Sequence, residues 1–254
     1  MRVGAIPLHS HKELCLEHEE VGFLRSDRNQ FKVCERIYRV GGPEISDGHD
    51  CCVYLVDGGG PLALIDSGCG PGYKAILANI IRLGFEPERL EWILLTHCHV
   101  DHVGAAALFK ADYGVELVAH TLDSAPLESG DRLMTAAFMY GVRFEPLLLD
   151  RKLALDEEEL EVGDLKLKVL LTPGHTPGSV SAYVDINSVR VLFGQDVHGP
   201  FHPDFGSDIK AWRRSMARLL ELEADILCEG HFGIYSPSSA VRAYIEGYLD
   251  QFAR

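Results

Sequence analysis

Leu94-Leu95-Thr96-His97-Cys98-His99-Val100-Asp101-His102-Val103-Gly104 is the stretch whose reading decides the fold. Residues 92–95 are an apolar run that predicts a buried strand, and residues 103–110 have helical composition. Three histidines and an aspartate therefore sit on the turn between strand and helix. In an extended chain successive side chains project to opposite sides, so His97, His99 and Asp101 point one way while Cys98 and Val100 point the other. His102, where the helix begins, breaks that alternation and can turn towards a second ion close to the first. Imidazole and carboxylate together suit Zn, Fe or Mn better than Mg or Ca, which prefer oxygen shells. An isolated histidine is usually only a surface residue, and the chain has 12. Their density behind an apolar strand is what points to metal.

Further stretches lie outward from this loop. Leu64-Ile65-Asp66-Ser67-Gly68 precedes it; Thr172-Pro173-Gly174-His175-Thr176-Pro177-Gly178, Leu192-Phe193-Gly194-Gln195-Asp196 and Cys228-Glu229-Gly230-His231 follow. Singly these are weak, because a Gly/Pro turn with a histidine, or an aspartate after a strand, is ordinary turn chemistry. In this order around His97-x-His99-x-Asp101-His102 they resemble the signature of the metallo-β-lactamase superfamily, over residues 50–231.

That resemblance implies an α+β fold, the four-layer αββα sandwich of two mixed sheets with helices outside and metals at one edge between the sheets. It implies His97, His99 and His175 on a first metal, Asp101, His102 and His231 on a second, Asp196 bridging both, and Asp66 supporting the loop from behind. Two divalent cations are expected, Zn foremost with Fe or Mn as alternatives. The implied activity is hydrolysis, with a metal-held hydroxide attacking the carbonyl of a small ester, lactone or thioester. Asp101 is expected to orient that hydroxide or accept its proton. His198, two residues after Asp196, is the candidate for an extra proton donor or oxyanion partner, with Tyr140 and Tyr235 as others of that kind. Thr96 and Thr176 are candidates to brace the loops.

Departures limit the substrate. β-Lactamases of the related metal pattern generally lack the bridging aspartate and are exported, whereas Asp196 resembles glyoxalase II thioesterases and acyl-homoserine lactonases. The stretch from Gly194 to Gly199 matches neither, since the lactonases carry a tyrosine where Gly199 stands. No basic cluster near the C-terminus offers itself to a glutathione carboxylate. The alternatives are β-lactamase activity, a mononuclear iron enzyme resembling persulfide dioxygenases, against which His102 and His231 argue, and a non-catalytic module, which would be expected to have lost ligands.

Composition sets the outer bounds. With 46% hydrophobic and 24% charged residues, the 254-residue chain can bury one large core, and a single domain is expected. The formal net charge of −14 repels phosphate backbones and anionic headgroups, so the partner expected is a small-molecule substrate and not nucleic acid or a membrane. Seven cysteines without a CxxC pair, and an N-terminus unlike a signal peptide, predict reduced thiols and a cytoplasmic location. Cys51 and Cys52 are expected on opposite faces of a strand, and the alternation turns Cys98 away from the metals.

Along the chain, residues 1–45 form a poorly defined arm that could cover the site or contact a second copy in a homodimer. Within it residues 31–40 alternate enough for a first strand, and His9, His11 and His18 are simplest as surface residues. Residues 52–56 and 62–66 predict a hairpin around Asp57-Gly58-Gly59-Gly60-Pro61. A helix over residues 72–83 is expected to bury Ile76, Leu77, Ile80 and Ile81. Residues 121–145, with Leu133, Met134, Ala137, Phe138 and Tyr140 at helical spacing, are either a packed helix or a lid over the substrate. Further strands are expected at 115–119, 165–171, 179–184, 189–193 and 226–228, and helices at 209–222 and 240–252.

Overall fold

Alternation along the central strands shows how the layers form. In the computed structural model, which describes residues 30–253, Val53 and Leu55 pack with the helix residues Ile76, Ile80 and Phe109. Their neighbours Tyr54 and Val56 pack on the opposite side against Leu167, Val184 and Phe193. A strand covered on both faces must be apolar throughout, which is why β4 below reads Leu-Ala-Leu-Ile with every residue buried.

Seven strands follow one another across the first sheet: β1 (Lys32–Cys34), β2 (Ile37–Gly41), β3 (Val53–Asp57), β4 (Leu62–Ile65), β5 (Leu90–Leu94), β6 (Glu116–His120) and β7 (Arg151–Leu153). Strands β1 to β4 pair antiparallel and β4 to β7 parallel. The second sheet runs β8 (Glu157–Val162), β9 (Leu165–Leu171), β10 (Val180–Ile186), β11 (Val189–Gln195), β12 (Ile226–Glu229) and β13 (Ile234–Tyr235), all antiparallel except the parallel β11/β12 pair.

The first sheet is backed by α1 (Tyr73–Arg82), α2 (Val100–Val103), α3 (Ala106–Tyr113) and α4 (Thr121–Ser129). The second is backed by α5 (Ile209–Glu221) and α6 (Ser238–Gln251), where Trp212, Met216, Leu219 and Ile245 cover Leu192 and Leu227. The result is the four-layer αββα sandwich. Among the described residues no helix is long and apolar enough to cross a membrane.

Several expectations need correction. The single strand expected over residues 31–40 is two: the chain turns back at Arg36, φ +68°, and forms the β1/β2 edge hairpin. The rest of the arm, with His9, His11 and His18, lies outside the described residues. Ile81 does not join the buried face of α1; it is 55% exposed while Ile76 and Ile80 are fully buried. Residues 133–140 are not a helix. Gly130 ends α4 in the left-handed region, the Asp131 carboxylate accepts the backbone N–H of Leu133 and Met134, and Ala136 sits at φ +55°. Strands β7 and β8 were not expected from the sequence, since β8 is an acidic edge strand turning only Leu160 and Val162 inward.

Candidate metal centre

Every candidate ligand lies at the carboxyl end of a strand. β5 runs into the loop carrying His97 and His99 and then into α2, which carries Asp101 and His102. β9 leads to His175, β11 to Asp196 and β12 to His231. Because β11 and β12 are parallel, with Gln195 beside Glu229, Asp196 and His231 emerge together. Gly230 keeps the space between them open: a Cβ there would stand 2.3 Å from Asp196 Oδ1.

One ligand atom each from His97, His99, His175 and Asp196 falls within 4.8 Å of the others, and so does one each from Asp101, His102 and His231. Asp196 joins the groups: its carboxylate oxygens lie 3.4 Å from His175 Nε2, 3.9 Å from His97 Nε2, 3.2 Å from His102 Nε2 and 3.4 Å from His231 Nε2. His231 Nε2 is also 3.2 Å from Asp101 Oδ2. Two ligands on one tetrahedral zinc are about 3.4 Å apart, so these separations are those of atoms gathered around a cation. The buried His97 Nε2 and Asp196 Oδ1 have no hydrogen-bond partner, which suits atoms that coordinate a cation. The residues present fit the binding of divalent metal.

The far side of each ring sets which nitrogen faces the centre. His102 Nδ1 donates to Asp66 Oδ2 at 2.7 Å, and His175 Nδ1 donates to the Pro200 carbonyl at 2.9 Å, leaving Nε2 of each for the centre. Asp66 stands at φ +61° and also takes the Thr96 N–H and hydroxyl at 2.8 and 2.9 Å, so one carboxylate ties both ends of the ligand loop. Thr176 braces as expected: its hydroxyl meets Asp123 Oδ2 at 2.7 Å.

Burial holds His97 and His99 well below the ordinary imidazole value and brings His175 down to about 4. Burial also acts downward on His231, but the Asp196 and Asp101 carboxylates outweigh it and lift the ring to about 11. Burial pushes Asp101 up, and the His102 and His231 rings outweigh it and pull its carboxyl down to about 2.

A cavity of about 380 Å³ opens over the cluster. Asp101, Asp196, His198 and His231 form its polar side, and Ala136, Met139, Phe205 and Phe232 its apolar side. His198 and Tyr140 line it as expected, whereas Tyr235 stacks on Tyr244, ring centroids 4.0 Å apart, away from the cavity lining. Cys98 is turned away and its Sγ meets the Met134 carbonyl at 3.2 Å. Cys51 packs with the helices and Cys52 between the sheets.

Two acids escaped sequence reasoning. Asp123, in the first turn of α4, accepts the Cys98 N–H, the Thr176 hydroxyl and the Gly178 N–H, so it ties the ligand loop of the first sheet to the His175 loop of the second. An aspartate in a first helical turn carries no signal of that role. Glu229 is wholly buried and accepts His198 Nδ1 on one oxygen and the His231 and Phe232 N–H groups on the other.

This is a metal centre built on an αββα frame, and the comparisons agree with it. The description of the metallo-beta-lactamase superfamily matches residues 47–231, and the chain belongs to that superfamily. It is 34% identical over 157 residues to "Glyoxylase B2" of Dictyostelium discoideum, covering 58% of this chain and 50% of that one. It is 32% identical over 177 residues to "Hydroxyacylglutathione hydrolase GloC" of Haemophilus influenzae, covering 63% and 81%. The chain thus spans about half the length of curated relatives such as the first. Among solved structures, one titled for the first B3 metallo-beta-lactamase with an active-site glutamic acid superposes with a TM-score of 0.74 at 26% identity, over 87% of this chain and 88% of that one.

Proposed function

We propose that this chain is a dinuclear metal-dependent hydrolase of small esters, lactones or thioesters. The observation that carries the reading is the convergence of seven candidate ligands with Asp196 between two groups, four of them (His99, Asp101, Asp196 and His231) lining a largely apolar cavity. His97, His99 and His175 would hold one cation, Asp101, His102 and His231 the other, and Asp196 both. When bound, such a pair supplies Lewis acidity to the substrate carbonyl and brings the pKa of water from 15.7 to near 7. Zn is the first expectation, with Fe or Mn as alternatives.

The chain's own residues supply the rest. Asp101 lines the cavity and is suited to orient the attacking water and take its proton. Met139, Phe205 and Phe232 give an acyl group an apolar wall and keep water off the carbonyl. The turns over residues 131–141 bring Ala136 and Met139 to that wall, which supports reading them as a lid. The acidic net charge supports an uncomplexed small-molecule substrate, and the unpaired cysteines among the described residues support a reducing compartment such as the cytoplasm.

Metal analysis of protein purified without added metal, together with turnover of an aryl acetate, an acyl-homoserine lactone and S-lactoylglutathione, tests this. The expected result is about two metal ions per chain, with hydrolysis abolished by a chelator and by His97→Ala. About one iron per chain, no hydrolysis and oxygen consumption with a persulfide would overturn it.

A further inference from the structure

One side chain of the helical layer behind the second sheet touches two of that sheet's ligand turns. Trp212, on α5, is buried, and its indole N–H donates to the Val197 carbonyl at 3.0 Å, one residue beyond Asp196. It also packs directly under the His175 turn: a Cβ on Gly174, φ +139°, would stand 2.3 Å from Trp212 Cβ. Residues around Trp212 hold the same turn by its carbonyls, since Ser215 Oγ donates to Pro173 at 2.8 Å, the Asp208 N–H to Gly174 at 2.9 Å and Ser207 Oγ to His175 at 2.7 Å. The Phe201 ring meets the indole edge-on, centroids 5.1 Å apart, and follows Pro200, whose carbonyl takes His175 Nδ1 at 2.9 Å.

A buried indole N–H needs an acceptor, and the one Trp212 has belongs to a segment with ligand business at both ends. Residues 196–200 begin with the ligand Asp196 and finish with the carbonyl that orients the ligand His175. One indole pins that segment at Val197 and, through Phe201, just past Pro200. The other ligand group is braced elsewhere: Asp66 takes His102 Nδ1, and Glu229 takes the His231 N–H. We propose that Trp212 is a positioning residue for the cation of His97, His99 and His175, setting where the Asp196 carboxylate stands and how the His175 ring is turned. The inference rests on the dinuclear reading and gives α5, a helix with no ligand of its own, control over one of the two ions. Deleting the indole N–H leaves the buried Val197 carbonyl without that donor, so the segment shifts towards another.

Zinc affinity, measured by competition with a chromophoric chelator, tests it in two backgrounds. His231→Ala leaves the three-histidine group whole, and His175→Ala leaves Asp101, His102 and His231 whole. Trp212→Phe keeps an aromatic ring and deletes the N–H; it is expected to weaken zinc binding about tenfold or more in the first background and less than about threefold in the second. Trp92→Phe is the matched control, because Trp92 Nε1 also donates to a backbone carbonyl, that of Glu161 at 2.8 Å, on a strand that leads to no ligand. It is expected to lower the melting temperature and leave zinc affinity unchanged in both backgrounds. A merely structural Trp212 would behave in the same way. Should Trp212→Phe fail to fold, Phe201→Leu, which removes the ring between the indole and Pro200, is expected to show the same asymmetry at a smaller size. Equal losses in the two backgrounds, or a loss in the first no larger than that of Trp92→Phe, overturn the inference and leave the dinuclear reading standing. Wild-type protein that takes up a single zinc ion overturns both.

Discussion

The first sheet delivers His97, His99, Asp101 and His102 from one loop and a single helical turn after β5, whereas the second delivers His175, Asp196 and His231 singly from the ends of β9, β11 and β12. In the first half, strand alternation and one turn of helix place the ligands, and Asp66 ties them locally. In the second half no local rule relates one ligand to the next. Their spacing comes from sheet register, and their distance from the first half comes from Asp123 and from bonds such as Cys52 N–H to the Gly230 carbonyl at 2.6 Å and Val180 N–H to the Thr96 carbonyl at 2.8 Å. Half of this centre is a motif and half is an assembly, and the two should fail differently.

The largest effect is expected where the halves meet. Asp196→Ala removes the carboxylate that lies between the two groups and should weaken metal binding more than about 100-fold, measured by competition with a chromophoric chelator. His97→Ala should cost less, because the second group keeps its ligands; equal losses would mean that Asp196 does not unite the groups. Asp123→Ala comes next. It leaves the buried Cys98 and Gly178 N–H groups without an acceptor and the Thr176 hydroxyl with Ser179 alone, so about 3 kcal/mol of stability should go, seen as a melting temperature lower by roughly 10 °C. A melt within a degree of the wild type would show that the halves are held together by other contacts.

Asp66→Ala should act on the first half alone, weakening metal binding about 10- to 100-fold through the unsupported His102 ring with a smaller change in melting. If it matched Asp123→Ala in stability loss, the distinction between a local tie and an assembling one would fall. The smallest effect belongs to Cys98→Ala. The thiol lies between two ligands in sequence but faces away, so metal content should stay at the wild-type value while stability drops by about 1 kcal/mol for the lost packing. Loss of metal would make Cys98 a ligand after all.

Legibility followed the same division. The ligand loop, the β3/β4 hairpin and strand β9 stand where periodicity put them, because each is governed by neighbours in sequence. The stripe on α1 was overextended to Ile81, since spacing gives the direction of a side chain but not how far the partner layer reaches. Residues 131–141 carry apolar residues at helical spacing and yet turn, because Gly130, the Asp131 side chain and Ala136 act on the backbone more strongly than a spacing pattern does. The acidic β8 edge was invisible to a search for apolar alternation.

By itself the sequence, with its family signature, named the candidate ligands: imidazoles and carboxylates, four of them on one strand-to-helix turn. Its family signature determined the αββα frame as well. Only the tertiary structure decided what surrounds those ligands. Asp123 and Glu229 are ordinary acids until folding places one against Cys98, Thr176 and Gly178 and the other behind His198, and residues 131–141 form a cavity wall only once packed over the cluster. A ligand's identity is carried by its own atoms. A supporting residue's role is carried by donors many positions away in the chain, which no local pattern brings together.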